Sequence, residues 1–270
     1  MSLLSTCSYN VENNVAKRPL TKERSSLLWH KRLGHISKER VERLISSGIL
    51  PRLDSDDLEI CVDCVKGKLT KNKKKGATCS KNLLEIVHTD ISGPYSTNLC
   101  GNKYFITFID DFSHYGYVFL IKEKVNALEM FKVFRTEVEK QLGKFIKIVR
   151  SNRGGEYYGK HGDAGQQKGL FAKYLQDNGI VAQYTMPGSP EQNGVAERHN
   201  HTLMEMKRSM MGRSNLPKYL WGEATKTTTY ILNRVPSKFV PKTPFELWID
   251  RKPSLNHFKV WGCLVEVKNL

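Results

Sequence analysis

Two histidines separated by four residues, His30 and His35, precede two cysteines separated by two, Cys61 and Cys64, with twenty-five residues between the pairs. No other feature restricts the fold of this chain as tightly. Two imidazole nitrogens and two thiolates suit a tetrahedral Zn²⁺ ion, and a Cys-x-x-Cys turn lets both sulfurs reach it. The segment is too short to build a self-sufficient core, so a structural zinc would supply part of its folding energy. A stray Cys-x-x-Cys beside two surface histidines is the plainer reading, and the paired spacing argues against it. Cys7, Cys79, Cys100 and Cys263 have no such partners and read as ordinary thiols.

Charge sets the class of partner. The chain holds 43 Lys and Arg against 27 Asp and Glu, a formal +16. A chain this basic is expected to seek a polyanion, nucleic acid first and anionic membrane second. No stretch approaches eighteen consecutive apolar residues, and the N-terminus MSLLSTCSYNVENN lacks a basic region ahead of an apolar run. Neither a membrane span nor a signal peptide is expected, and the chain reads as intracellular, nuclear or cytoplasmic. The densest positive run is Lys66, Lys68, Lys71, Lys73, Lys74 and Lys75, with no acid among them. It reads as a linker that tracks a phosphate backbone. A solvated hinge or a localisation signal also fits that composition.

The periodicity divides the chain. Residues 1–20 show no clear period. Helical spacing begins near Ser25, and Lys38–Ser47 puts Val41, Leu44 and Ile45 on one face before Gly48 stops it. From Asn82 the pattern is strand-like: 83–91, then 102–113 and 115–122 as a hairpin. Val125–Gln141 is helical, 145–151 a short strand, Gly169–Asn178 a helix, and 180–185 another strand. The next helix follows Ser189, which could cap it in a box with Gln192. Asn193-Gly194 competes with that start, because glycine inside a helix costs about 1 kcal/mol. Beyond it Val195, Leu203, Met206 and Met210 form one stripe, and Glu197, His201, Met204 and Arg208 face away. Lys218–Val235 is helix-rich, and residues 256–267 read as a strand. The sum is a mixed α/β sheet.

In such a sheet, strand ends and the helices after them converge on one edge, where ligand sites form. Asp90 ends the first strand, position 152 ends the fourth, and Glu197 starts the helix after the fifth. Carboxylates gathered there can hold a pair of Mg²⁺ ions, which want hard oxygen ligands. Taken alone, Glu197 would be read as a solvated helix glutamate.

The stretches LLWHKRLGH, CVDCVKGK, HTDISGP, YFITFIDDFS, VRSNRGGEY, SPEQNGVAERHNHTL and FELW resemble, in content and order, the integrase region of copia-type LTR retrotransposon polyproteins. The resemblance covers roughly residues 25–270. It implies a small helical HHCC zinc-binding domain ahead of a ribonuclease-H-like α/β core, a mixed five-stranded sheet with flanking helices. The implied divisions are a lead-in over 1–20, the zinc domain over 21–70, a basic linker over 71–81 and the catalytic core over 82–235. Residues 236–270 would open a truncated β-barrel. His30, His35, Cys61 and Cys64 would be the zinc ligands, and Asp90 and Glu197 the first and third catalytic acids, holding Mg²⁺ or Mn²⁺. The implied partners are retroelement cDNA ends and target DNA, with action as a homo-multimer and no membrane. The implied reaction joins a cDNA 3′-hydroxyl to a target phosphodiester.

One departure bears on that chemistry. The family has aspartate at the second acid, and this chain has Asn152 in the run Arg150-Ser151-Asn152-Arg153-Gly154-Gly155-Glu156-Tyr157. An amide offers a carbonyl oxygen but no charge, so metal binding and catalysis are expected to be impaired. Glu156, Asp110 and Asp111 are near enough in sequence to compensate, though each also suits a turn or strand end. A second departure puts His199 and His201 where the family favours Lys or Arg, so the grip on DNA there should be weaker and pH-dependent. Arg198, Lys207 and Arg208 remain as cations on that helix. An active joining enzyme, a DNA-binding remnant and a decayed fragment all stay open.

Overall fold

The computed structural model describes residues 25–53, 61–67, 80–159, 161–162, 165–185, 193–214, 216–236 and 242–263. The sheet is built from β1 (Ile86–Ser92), β2 (Tyr104–Asp110), β3 (Gly116–Ile121), β4 (Ile148–Ser151) and β7 (Val181–Tyr184) in the order β3-β2-β1-β4-β7. The first three strands pair antiparallel, with Asp90 opposite Thr107, and β1, β4 and β7 run parallel. β2 lies between two strands and under helices on both faces, so YFITFID reads as a near-continuous apolar run. A two-stranded hairpin, β5 (His161–Gly162) and β6 (Gly165–Gln166), sits outside the sheet and follows from no sequence pattern noted above.

One face is covered by α4 (Ala127–Leu142) and α5 (Leu170–Asp177). Phe131, Phe134 and Val138 recur at helical spacing and are fully buried, and Phe134 stacks on Phe108 of β2 with centroids 4.6 Å apart. Gly143 ends α4 in the left-handed region at φ 61°, where a side chain would be strained. Val87, Ile106, Tyr157, Phe171 and Leu175 complete this core.

The other face carries α6 (Gly194–Ser214) and α7 (Trp221–Arg234). The helix α6 begins at Gly194, as the Asn193-Gly194 pair suggests, and Ser189 and Gln192 lie outside the described residues. Leu203, Met206 and Met210 of the expected stripe are buried and Val195 is half-buried. Asn233 pins α7 to β3: its Nδ2 donates to Gly116 O and its Oδ1 accepts from Gly116 N, each at 2.8 Å.

This second core does not stop at the sheet. The helices α1 (Ser26–Arg32), α2 (Lys38–Ser46) and α3 (Val62–Gly67) dock on α6, and Trp29, Leu33, Val41 and Leu44 share one cluster with Leu203, Met206, Met210 and Ile231. Gly34, at φ 65°, makes the contact possible, since a β-carbon there would stand 2.9 Å from Met206 Cε. The short N-terminal helices are thus completed by the α6–α7 layer.

At the C-terminus, α8 (Pro244–Ile249) starts in a capping box: Thr243 Oγ1 accepts from Glu246 N–H and Glu246 Oε2 accepts from Thr243 N–H at 2.7 Å. Trp248 stacks on Tyr115 at 5.0 Å. The strand read over 256–267 is not formed in its described part, 256–263. There Phe258, with Leu255 just before it, drops into the α6–α7 core instead of pairing along an edge. No described helix is long and apolar enough to cross a membrane.

Candidate functional site

His30, His35, Cys61 and Cys64 come together, with one ligand atom from each lying within 4.8 Å of the others. Cys64 Sγ is 3.3 Å from His30 Nε2 and 3.6 Å from His35 Nδ1, and Cys61 Sγ is 3.3 Å from His35 Nδ1. Zn–N and Zn–S bonds at a tetrahedral angle give a nitrogen–sulfur separation of about 3.6 Å, so the four atoms fit one ion. His30 Nδ1 is 2.7 Å from Ile36 O, which places a proton on Nδ1 and leaves Nε2 its lone pair. Burial lowers His30, and burial followed by the neighbouring His30 presses His35 down to about 4. Both rings are therefore neutral near pH 7, the form that binds metal. His35 sits at φ 65°, a left-handed turn that follows Gly34 and aims its ring at the cysteines. The group could hold a metal ion.

The second centre lies where the parallel strands end. Asp90 occupies β1 opposite Thr107, and Asn152 follows β4 directly. Asn200 of α6 closes over them: its Nδ2 donates to Asp90 Oδ2 at 3.0 Å while its Oδ1 accepts from Thr107 Oγ1 at 2.9 Å. Burial raises Asp90, and the Asn200 hydrogen bond works against that rise. Asn152 Nδ2 lies 3.4 Å from Asp90 Oδ1, and Asn152 Oδ1 accepts from Gly154 N–H at 2.9 Å. That second contact fixes which end of the amide is which, because turning it over would set two N–H groups against each other.

Glu197 is exposed in the first turn of α6. Asn193 donates to Thr89 O at 3.2 Å and Asn200 reaches Asp90, so one side of the helix start faces β1. Glu197 is four residues after the first and three before the second, on that same side. The structure thus brings Asp90 and Asn152 into contact and puts the Glu197 side of α6 over them. Sequence reasoning does not reach Asn200 or Thr107. The one available signal is that Asn200 shares the face of Glu197.

The remaining candidates separate. Arg198 and Arg208 are exposed on α6. Lys68, Lys71, Lys73, Lys74 and Lys75 lie outside the described residues, and Lys66 is placed only as backbone of α3. Two expectations for α6 need correction. Lys207 is buried beneath Tyr95, Phe105 and Trp221, with Nζ 4.0 Å from the Tyr95 centroid, so it offers nothing to a phosphate. His199 packs against Gly116, and neither ring nitrogen is exposed or hydrogen-bonded to a described residue. Burial, then His114 and Arg40, hold it down to about 4, so it does not titrate near neutral pH. His201 is half-buried beside Glu205.

Of the acids near position 152, two are committed elsewhere. Asp110 is buried and accepts from Leu84 N–H, Ser113 N–H and Ser113 O–H at 2.7–2.8 Å. Asp111 accepts from Ser80 N–H at 2.6 Å and pairs with His88 Nε2 at 2.7 Å. Asp110 also stands opposite Val87, three residues or about 10 Å along β1 from Asp90. Glu156 differs, with its side chain beside Gly154 and Asn152.

Residues 2–69 match the GAG-pre-integrase domain family. The chain is 37% identical over 241 residues to the retrovirus-related Pol polyprotein from transposon TNT 1-94 of Nicotiana tabacum, covering 87% of this chain and 17% of that protein. It is 29% identical over 238 residues to the corresponding polyprotein from transposon RE2 of Arabidopsis thaliana, covering 87% of this chain and 16% of that protein. The chain therefore spans about a sixth of the length of these relatives. Among solved structures it resembles a chain of the simian T-cell lymphotropic virus intasome in complex with PP2A regulatory subunit B56 gamma. The match has 17% identity and a TM-score of 0.50, and covers 90% of this chain and 78% of that one. At that identity the likeness speaks for the fold.

Proposed function

We propose, on the premise that this chain is the integrase region of a retrotransposon Pol polyprotein, that it binds zinc and DNA and carries a DNA-joining site impaired by Asn152. Residues 21–70 are read as the zinc-binding domain, 71–81 as the basic linker, 82–235 as the catalytic core and 236–270 as a C-terminal extension. His30, His35, Cys61 and Cys64 would hold a structural Zn²⁺ ion. Its removal would open a core that continues into α6 and α7. Arg198, Arg208 and the Lys66–Lys75 run would meet phosphates, consistent with the formal +16. Homo-multimers on cDNA ends and target DNA, inside the cell, follow from the same family reading.

The donor set at the second centre suits Mg²⁺ or Mn²⁺ in part. Asp90 and Glu197 are hard oxygen ligands, and a β-carbon on Gly154 would fill the space between Asn152 Oδ1 and Glu156 Oε2. Divalent ions bound there would help deprotonate an attacking 3′-hydroxyl and neutralise the leaving oxygen of an in-line displacement. The protein's own part is to hold Asp90 through Asn200 and to aim Glu197 from the start of α6.

The observation that carries the reading of impairment is the Asn152 amide. It turns a donor, not an oxygen, toward Asp90, and it removes one of the negative charges that two divalent ions require. The same observation favours the second reading, a zinc- and nucleic-acid-binding module that joins nothing. Strand transfer on labelled DNA ends with Mg²⁺ or Mn²⁺ tests both, comparing the parent with Asn152→Asp. Joining by the aspartate variant alone supports impairment at one position. Robust joining by the parent sinks it, and joining by neither favours the non-catalytic module.

A further inference from the structure

The loop that carries Asn152 also carries an acid that the reading above leaves without a role. A β-carbon on Gly154 would stand 2.7 Å from Glu156 Oε2 and 2.8 Å from Asn152 Oδ1. A side chain at 154 would have to push aside the ends of Asn152 and Glu156, so glycine leaves the space in which the two meet. The turn is closed by Tyr157 N–H and Tyr158 N–H, which both donate to Gly154 O. Tyr157 is fully buried with its hydroxyl 3.1 Å from Thr89 Oγ1, so the turn is anchored to β1 one residue before Asp90. The Glu156 side chain is 12% exposed and is approached by a cation already, Lys124 Nζ at 3.8 Å from Oε1. That partner is itself 48% exposed.

We infer that Glu156 supplies the second carboxylate of the divalent-cation site at Asp90, in place of the aspartate that Asn152 replaces. This rests on the reading of Asp90 and Glu197 as metal ligands. Two partly buried carboxylates that flank one amide form a site that a divalent cation neutralises. Hard oxygens are the donors that Mg²⁺ and Mn²⁺ select. The longer arm of Glu156, from four residues further along the chain, offers its oxygen from beyond Gly154 and not from the strand end. The ion would therefore be held at a different point from one bound by an aspartate at 152. Metal binding and strand joining can then come apart in this chain.

The test uses the full chain with its zinc in place and reads Mn²⁺ binding directly, by loss of the free Mn²⁺ signal in electron paramagnetic resonance. Melting temperature without added Mn²⁺ checks that each variant folds. The parent is expected to bind, Glu156→Gln to bind at least about tenfold more weakly, and Asn152→Asp/Glu156→Gln to regain the loss, because aspartate makes Glu156 dispensable. Equal binding by the parent and Glu156→Gln overturns the inference and leaves the metal site standing. Binding by Asn152→Asp but not by the parent also overturns it. If neither the parent nor Asn152→Asp binds Mn²⁺, the reading of Asp90 and Glu197 as metal ligands fails with it.

Discussion

Asn152 faces Asp90 with a hydrogen-bond donor, Nδ2 to Oδ1 at 3.4 Å, and the Gly154 amide holds it in that orientation. Where a carboxylate would repel Asp90 and call for a cation between them, the amide adds a donor to the one that Asn200 supplies. Without metal the contact is mildly stabilising. Asn152→Asp is therefore expected to lower stability by about 1 kcal/mol in metal-free buffer, through loss of that hydrogen bond and new repulsion. Addition of Mn²⁺ should reverse the deficit. Melting curves with and without the ion measure both, and a variant more stable than the parent before metal is added would contradict this account.

Asn200 ties Asp90 to Thr107 and so to the neighbouring strand. Asn200→Leu leaves Thr107 Oγ1 only its longer contact to Asp90 O at 3.4 Å, and Asp90 without its shortest side-chain donor. A loss of about 1–3 kcal/mol is expected, since a buried polar group left unsatisfied costs that much. The Asp90 carboxyl should also move further upward, because burial then acts unopposed by that bond. Chemical denaturation and a titration of Asp90 by carboxyl NMR check the two effects.

The His/Cys group shares its core with α6 and α7, so its loss should be felt across the chain. Cys64→Ser, or a chelator strong enough to strip zinc, is expected to lower the main melting transition and not merely to unravel the N-terminal helices. Fluorescence of buried Trp29, in the N-terminal unit, and Trp221, in α7, should report one shared transition. Separate melting of the N-terminal helices, or no change on chelation, would show that the metal is not part of the fold.

Lys207 is held down to about 8 by burial, with Arg208 adding to the shift, against an ordinary value of 10.5. The unfolded chain keeps this proton to higher pH than the folded one. Its penalty is therefore full below pH 8 and shrinks as pH rises from 8 toward 10.5. The aromatic cage returns up to about 2 kcal/mol while the amine is charged. Lys207→Met is expected to be roughly 1 kcal/mol more stable than the parent at pH 7, with the gain narrowing above pH 8. Urea unfolding across that range measures it, and a flat difference would show that the amine does not titrate there.

Asp111 behaves in the opposite sense. Burial alone would raise it, but the His88 and Ser80 hydrogen bonds overcome burial and hold it at about 2, against 3.8 ordinarily. Its contribution is present above pH 3.8 and is lost as pH falls toward 2. Asp111→Asn should destabilise the protein at pH 6 and remove that part of the acid sensitivity. Acid titrations of the two proteins followed by circular dichroism give the comparison.

Much of this protein was legible in the sequence because the signals are local. The strand pattern, the hairpin and the Gly48 stop each depend on neighbours within a few residues. The His/Cys spacing belongs here too, because four donors of those types at those intervals have few other uses. The substitution at 152 is likewise visible as a change of charge without any fold.

Only the tertiary structure decided what the long-range neighbours do. Periodicity shows that Lys207 and His199 are on α6 but not that Tyr95, Phe105 and Trp221 close over one and Gly116 backs the other. Nothing local marks Phe258 as part of a core made by helices far earlier in the chain, and so its stretch reads as a strand. Asp110, Asp111 and Glu156 look alike as carboxylates near a strand end. Packing gives the first two their hydrogen-bond donors and leaves the third facing the site across Gly154. The sequence determined which chemical groups this protein holds and which charge it lacks. The fold decided which of those groups meet, because burial and contact depend on residues that only folding brings together.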